Sequence, residues 1–233
     1  MELSKTWVII PAYNEETTIG QVIDGLLKEG LANILVVDDG SADRTAEIAR
    51  QKSATVISHL VNLGTGGAGA ATATGLDFLR DTQLSNISAV ITCDADGQHS
   101  AADVRSAAEV ILNKEADLVI GSRILENKQQ MPFVRLVGNL LLNILTRFFV
   151  GIKTSDSQSG LRALSKKALT VMQLRSNGVE FLTEMFQIAK QERLIYKEIP
   201  IQTIYTDYSL TKVRDLTYVL NVIRFMIVGR STS

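Results

Sequence analysis

The chain predicts an α/β fold, a doubly wound and mostly parallel sheet with helices on both faces and amphipathic helices towards the C-terminus. Three observations predict it. Short apolar runs of strand length alternate with segments of helical spacing from the first residues onward. The apolar runs are continuous rather than alternating, as in strands covered on both faces. The polar clusters at 11–15, 38–41, 94–99 and 121–123 all fall at the carboxyl ends of those runs, where open α/β sheets bind their ligands.

The elements follow in order. Trp7-Val8-Ile9-Ile10 reads as a strand stopped by Pro11, and Thr17 to Lys28 carries Ile19, Val22, Ile23, Leu26 and Leu27 on one helical face. Ile34-Leu35-Val36-Val37 is a second strand, running into Asp38-Asp39-Gly40-Ser41. Asp43 to Lys52 reads as a helix, Thr55-Val56-Ile57 as a short strand, and an Ala/Gly/Thr-rich helix spans 66–81. Ala89 to Cys93 is a buried strand that ends at Asp94; a helix over 101–114 and a strand over Asp117 to Gly121 complete the alternation. Beyond Arg123 the pattern changes. Residues 133–152 are apolar except for Arg135, Asn139, Asn143 and Arg147, spaced four apart as one narrow polar stripe on a helix. Asp156 to Leu164 returns to strand and loop, Val179 to Gln191 reads as a helix, Tyr196 to Tyr205 as extended chain around Pro200, and 216–228 is apolar on most faces. No internal repeat or low-complexity linker divides the chain, so residues 1–233 read as one domain.

Composition narrows the function classes. With 45% hydrophobic and 21% charged residues, the 233-residue chain has the make-up of an ordinary soluble globular domain. A net charge of -1 offers no field for nucleic acid. Cys93 is the one cysteine, so no intrachain disulfide forms, which suits a reducing, cytoplasmic compartment. The N-terminus runs straight into a strand, with no signal peptide to be read.

The most informative residues are Asp94-Ala95-Asp96-Gly97-Gln98-His99. Two carboxylates leave a buried strand together, and like charges so placed call for a partner. A hard divalent cation, Mg²⁺ or Mn²⁺, prefers oxygen ligands such as Asp94, Asp96 and the amide oxygen of Gln98. The same residues also suit a plain polar turn. Asn14 and Glu15, after the first strand, suit a base or ribose edge, and equally a helix start. Asp38 and Asp39 suit hydrogen bonds to ribose hydroxyls or to a uracil or guanine N–H, while Ser41 or Asp43 suits an N-cap. Gly64 to Gly69 matches G-x-G-x-x-G but follows the third strand, so it reads as a loop approaching a ligand rather than a dinucleotide fingerprint. Arg123 suits a phosphate or a salt bridge to a carboxylate. His99 suits a metal or a solvated turn, and His59, beside the third strand, reads as structural.

Together these strings resemble family 2 glycosyltransferases of the GT-A fold, and within them the polyprenyl- or dolichyl-phosphate glycosyltransferases. The strings are PAYNE at 11–15, VVDDGSADRT at 36–45, NLGTGGA at 62–68, DADGQH at 94–99, DLVIGSR at 117–123, RLVGN at 135–139, DSQSGLRAL at 156–164 and EIPI at 198–201. They keep the family's order and spacing over nearly the whole chain. The resemblance implies inverting transfer from a nucleotide-diphosphate sugar, with 1–123 as the nucleotide-sugar part and 124–233 as the acceptor part. It implies that Pro11, Tyr13, Glu15, Asp38, Asp39 and Gly64 line the donor pocket, with Asp94 at its diphosphate end. Asp94, Asp96 and Gln98 then hold Mg²⁺ or Mn²⁺, and Arg123 approaches the phosphates. Arg135, Ser159, Arg162 and Lys212 fall on the acceptor side, with Asp156 the candidate base if the acceptor is a hydroxyl.

Three departures from the family pattern stand out. Ala68 to Gly75 is about one turn longer than usual by helical pitch, Thr65 stands where relatives often carry a basic residue, and the chain ends at Ser233 without paired transmembrane helices. A polyprenyl phosphate is the expected acceptor, and a saccharide hydroxyl is the alternative. A sugar-nucleotide nucleotidyltransferase would show a Gly-rich basic loop directly after the first strand, which Pro11-Ala12-Tyr13-Asn14 is not. A non-catalytic nucleotide-sugar binder would not need Asp94, Asp96 and Arg123 intact. Residues 133–152 and 216–228 are expected to lie at a membrane surface, with arginines among the headgroups, at the cytoplasmic face. A homo-oligomer is compatible with the same apolar faces.

Overall fold

The computed structural model describes residues 3–63, 68–127, 133–202, 204, 222 and 224–225. Seven strands are β1 (Thr6–Ala12), β2 (Asn33–Asp38), β3 (Thr55–Ser58), β4 (Ala89–Thr92), β5 (Leu118–Ser122), β6 (Arg162–Ser165) and β7 (Tyr196–Pro200). They form one sheet in the order β3-β2-β1-β4-β6-β5-β7. Every pairing is parallel except the two made by β6, which runs antiparallel to both β4 and β5. The helices are α1 (Ile19–Lys28), α2 (Thr45–Gln51), α3 (Gly69–Gln83), α4 (Ala101–Leu112), α5 (Arg123–Asn127), α6 (Phe133–Phe149), α7 (Lys166–Val171) and α8 (Phe181–Gln191).

Both faces of the sheet are buried, which is why the strands read as continuous apolar runs. On one face Val8, Ile10, Ile34, Val36 and Ile91 pack against Ile19, Ile23 and Leu26 of α1, Ala49 of α2 and Val104, Ala107 and Ile111 of α4. On the other, Ile9, Leu35, Val37, Val90 and Ile120 pack against Leu76 and Leu79 of α3, Leu169 of α7 and Met185 and Phe186 of α8. Successive residues of one strand feed opposite cores, as the pleat requires. Each large aliphatic so buried contributes about 1.5–3 kcal/mol.

Several boundaries differ from the sequence expectation, for physical reasons. Pro11 does not end β1, which continues to Ala12. The ladder to β4 stops at Ile9 and Thr92, and Pro11 lies beyond it, where its missing N–H leaves no bond unmade. α6 stops at Phe149 rather than 152, just before Gly151 turns the chain with φ +77. α5 and α7 are short helices that periodicity does not reveal. The apolar tail at 216–228 lies outside the described residues apart from Val222, Arg224 and Phe225; Val222 is buried against Leu142 of α6 and Val179.

Helix α3 lies close on the sheet at Gly75. A Cβ there would stand 2.7 Å from Ile9 Cγ2 and 3.3 Å from Val37 Cγ2. Exchanging glycine for alanine inside a helix ordinarily gains about 1 kcal/mol, whereas overpacking a core costs about 1–3 kcal/mol. Gly75→Ala is therefore expected to lower the urea midpoint of unfolding, and an unchanged or raised midpoint would show that α3 has room to move off the sheet.

Candidate active site

The strand order reverses direction between β1 and β4, because the chain leaves β1 towards β2 on one side and returns to β4 on the other. Such a switch point opens a crevice at the carboxyl ends of the two strands. The loops after β1 and β2 meet at its edge and are laced together. Asn14 N–H donates to Ser41 Oγ at 2.9 Å and Asn14 Oδ1 accepts from Ala42 N–H at 2.9 Å. Glu15 N–H donates to Thr45 Oγ1 at 2.7 Å, and Glu16 N–H to Asp43 Oδ2 at 3.1 Å. Asn14 takes φ +54, a left-handed conformation that asparagine tolerates better than most residues. The lacing leaves Tyr13 exposed and Glu15 buried.

The end of β2 is bound from the other side. Asp38 shapes its own turn, accepting from Ser41 N–H at 3.2 Å, and its carbonyl accepts from His59 N–H at 2.9 Å. Asp39 Oδ1 accepts from Leu63 N–H at 3.0 Å and lies 2.6 Å from His59 Nδ1. Asp38 and Asp39 are both buried. Gly64 lies outside the described residues, as does Lys212.

Asp94 and Asp96 follow β4. Asp96 is gripped by Gln98, whose backbone N–H donates to Oδ1 at 3.0 Å and whose side-chain amide nitrogen donates to Oδ2 at 2.6 Å. Gln98 thus orients Asp96 through its nitrogen. His99 is turned inward, with Nδ1 accepting from Asp94 N–H at 3.3 Å, so it fixes the loop rather than standing in solvent. Burial pushes the Asp96 carboxyl above the usual carboxylate range, Asp94 beside it adds to the push, and Glu15 contributes further. The loop before β6 closes over this pair: a Cβ at Gly160 would stand 2.5 Å from Asp94 Oδ1. Burial and the same two aspartates raise the Cys93 thiol, which therefore stays protonated and inert.

The residues fit a divalent cation held partly by its substrate. Two adjacent carboxylates raise one another's proton affinity unless positive charge is brought between them. Among the described residues, no three His, Cys, Asp or Glu side chains gather around one point. Mg²⁺-type sites commonly use one or two carboxylates, with substrate phosphates and water completing the shell.

Arg123 opens α5 and faces the second half of the site. Its Nε and Nη2 each donate to Asp156 at 2.7 Å in a bidentate pair, and its backbone N–H donates to the same carboxylate at 3.1 Å. Asn139 Nδ2 donates to Asp156 Oδ1 at 2.7 Å. Burial alone would raise the Asp156 carboxyl, but the guanidinium and these hydrogen bonds outweigh it and hold it below the usual range. Asp156 is 0% exposed and engaged by Arg123 and Asn139, so it stands here as a fixed counter-ion, whereas the base role was expected only for a hydroxyl acceptor.

The neighbouring expectations change as well. Arg162 is 0% exposed and spends its guanidinium on the carbonyls of Ser157, Ser159 and Leu182, stacked 4.7 Å over the ring of Phe186. Ser159 is fully buried, and its hydroxyl has no hydrogen-bond partner among the described residues. Both belong to the interior of the 156–162 loop and not to an acceptor surface. Arg135 lies in the first turn of α6.

Two groups that sequence reasoning left without a role complete the loop's support. Asn143 Nδ2 donates to the Ser155 carbonyl at 2.6 Å, and its Oδ1 accepts from Ser157 N–H at 2.8 Å. Glu198 of β7 accepts from Ser155 N–H at 2.8 Å, from Ser155 Oγ at 2.9 Å and from Thr154 Oγ1. The four-residue spacing of Asn139 and Asn143 was the available signal, and the structure buries these two asparagines against the loop while Arg147 of the same stripe stays exposed. The outer face of α6 is instead apolar, with Val137, Leu140, Leu141, Ile144 and Phe148 exposed beside Arg147.

Comparison with known proteins places the fold. A UDP-N-acetylglucosamine–dolichyl-phosphate N-acetylglucosaminyltransferase of Methanococcus voltae is 39% identical over 227 residues, covering 88% of this chain and 88% of the relative. A polyprenol monophosphomannose synthase of Mycolicibacterium smegmatis is 29% identical over 219 residues, covering 89% of this chain and 80% of the relative. Among solved structures, glucosyl-3-phosphoglycerate synthase from Mycobacterium tuberculosis superposes with a TM-score of 0.71 at 22% identity, over 97% of this chain and 79% of that one, which establishes the shared GT-A-like fold. Another structure of that enzyme, with Mn²⁺, uridine diphosphate and glucosyl-3-phosphoglycerate, gives a TM-score of 0.70 at 20% identity. The family model for glycosyl transferase family 2 matches residues 7–172, and the chain belongs to that family.

Proposed function

We propose that this chain transfers a sugar from a nucleotide-diphosphate sugar to a polyprenyl phosphate, with inversion at the anomeric carbon and with Mg²⁺ or Mn²⁺ as cofactor. The observation that carries the reading is the Asp94/Asp96 pair after β4 at the switch point, with Asp156 committed to Arg123. The names of the relatives from M. voltae and M. smegmatis support the acceptor class.

In this reading Pro11, Tyr13, Glu15, Asp38, Asp39 and Gly64 line the nucleoside pocket. Asp94 and Asp96 hold the cation and Gln98 keeps Asp96 in place. Bound there, a divalent cation offsets the charge that grows on the departing nucleotide diphosphate. Arg123, fixed by Asp156, is held ready for phosphate, and Arg135 with Lys212 completes the acceptor side.

A phosphate monoester is largely dianionic near neutral pH, since its second pKa is about 6. Its oxygen can attack the anomeric carbon while the bond to the leaving diphosphate breaks on the opposite side. That displacement needs no general base. A sugar hydroxyl would need one, and the engagement of Asp156 favours the phosphate acceptor over that alternative.

The lipid nature of the acceptor accounts for the outward apolar face of α6. Ile144 is 65% and Phe148 75% exposed. Among the described residues no helix is long and apolar enough to cross a membrane. An interfacial helix needs only one apolar face at the acyl boundary, and α6 provides it beside Arg147.

Three outcomes test this function. With radiolabelled UDP- and GDP-sugars, polyprenyl phosphate should accept label in a Mn²⁺- or Mg²⁺-dependent reaction; Asp96→Asn should lower turnover by about 100-fold or more, on the scale of losing one transition-state contact, with its circular dichroism unchanged. Wild-type turnover in excess EDTA would overturn the metal assignment, and label passing only to saccharide hydroxyls would overturn the acceptor.

The second outcome concerns Arg123. The Asp156 carboxyl is depressed in the folded protein relative to about 3.9 unfolded. Its stabilisation is therefore complete above that pH and lost as pH falls through the folded value. Arg123→Met strands a buried carboxylate and should cost about 3–5 kcal/mol at pH 7 by urea titration, with the gap to wild type narrowing as pH falls and the unpaired Asp156 takes up a proton. A gap that is constant with pH would mean that the pair contributes nothing electrostatic.

Third, the protein should float with anionic liposomes, and Ile144→Glu with Phe148→Glu should abolish flotation while leaving the fold intact. Flotation by the double variant equal to wild type would rule out α6 as the contact.

A further inference from the structure

Asp39 of the nucleoside pocket is paired with His59, which the chemistry above does not use. Their side chains are 6% and 11% exposed. His59 Nδ1 lies 2.6 Å from Asp39 Oδ1, and His59 Nε2 lies 2.9 Å from Thr74 Oγ1 on α3. The ring is anchored at the end of β3 by its own backbone N–H, which donates to the Asp38 carbonyl at 2.9 Å. The same Asp39 oxygen accepts from Leu63 N–H at 3.0 Å. Gly40, at φ +74, turns the chain directly onto the segment after His59: a Cβ there would stand 2.6 Å from the Val61 carbonyl carbon and 2.7 Å from Asn62 N. The loops after β2 and β3 are thus one packed unit, and His59 ties it to α3 next to Gly75, where that helix lies close on the sheet.

The chemistry of the pair sets the direction of its hydrogen bond. A carboxylate oxygen accepts, so His59 Nδ1–H donates to Asp39. Nε2 on the far side of the ring is held by the Thr74 hydroxyl. Holding a carboxylate in one rotation before the ligand arrives reduces the ordering cost of binding.

We infer that His59 is a positioning residue for nucleoside recognition, its Nδ1–H fixing the rotation of the Asp39 carboxylate towards the N–H and hydroxyl donors of the nucleotide, while Thr74 holds the far side of the ring. The inference rests on the reading of this crevice as a nucleotide-sugar site. It gives a functional role to a histidine that lies twenty positions from its carboxylate in sequence.

The test uses the full chain, UDP and GDP as probes with Mn²⁺, titration calorimetry, and steady-state kinetics with the productive sugar donor. His59→Leu should raise the dissociation constant of whichever nucleotide the wild type binds, and the donor KM, by about tenfold, the effect of losing one hydrogen bond to a charged group. Its kcat at saturating donor should stay near wild type, because the reacting atoms are untouched. His59→Asn, whose amide nitrogen can occupy the place of Nδ1, should recover most of the affinity. Thr74→Val should weaken binding in the same direction but less. In the wild type, nitrogen-15 spectra of the histidine ring should show a proton on Nδ1.

A folded His59→Leu variant with wild-type nucleotide affinity overturns the inference, as does a wild-type ring with a bare Nδ1. Should His59→Leu fail to fold, Thr74→Val and the ring spectrum decide in its place. A wild type that binds neither nucleotide overturns the nucleotide-sugar reading itself, an outcome distinct from failure of the His59 variant alone.

Discussion

A carboxylate with no contact with water has to be matched by its surroundings, and Asp156 is matched by Arg123 from the end of β5 and by Asn139 from α6. Its neighbours in the loop are held in turn by Asn143 of the same helix and Glu198 of β7. One short loop therefore collects polar groups from elements that share no sequence neighbourhood. Removing any one partner would strand a buried acceptor or donor, at a cost of about 1–3 kcal/mol for a neutral group and more for a charged one. The position of α6, the approach of the loop to Asp94 and the direction in which Arg123 points all follow from meeting that requirement.

In the proposed function, one crevice serves two substrates with opposite demands. The β1–β2–β3 side is tightly laced, as suits selective recognition of a nucleoside. The β5–α6 side is polar within and apolar without. Asn139 and Asn143 face the loop, while Ile144 and Phe148 face outward. An acceptor with a charged head and a hydrocarbon tail matches that inversion: its phosphate can approach the arginines while its tail remains in an apolar phase.

Much of the fold was legible because periodicity reports burial. Ile34 to Val37 read as a strand, and Ile19, Ile23 and Leu26 read as a helix face, since the sheet is covered on both sides and each helix on one. Periodicity does not report direction or depth. The antiparallel course of β6 depends on how the chain returns after α6, which no local pattern encodes. Arg162 fell on the acceptor side by resemblance alone, and no local pattern announces the three carbonyls and the ring of Phe186 that receive it in the interior. The polar stripe on α6 was visible, but a stripe has no sign until something is packed against it. Asp94 and Asp96 could be picked out because they sit at a strand end. The partnership of Asp39 with His59 could not, since it joins two loops through space.

The reversed strand has a consequence for how the protein is made. β6 lies between β4 and β5, and both of those strands are complete by Ser122, some forty residues before β6 begins at Arg162. Until β6 is in place, β4 and β5 each present an open row of backbone donors and acceptors, the kind of edge that invites pairing with another chain. A ribosome adding about 5–20 residues per second would leave those edges open for several seconds. The nascent chain therefore passes through a window in which β4 and β5 are synthesised but not yet joined by β6, and the polypeptide up to Ser122 lacks the strand that bridges them. The far edge of β5 waits longer still for β7, whose Glu198 also holds the Asp156 loop, so the sheet and that loop are finished by the same late strand.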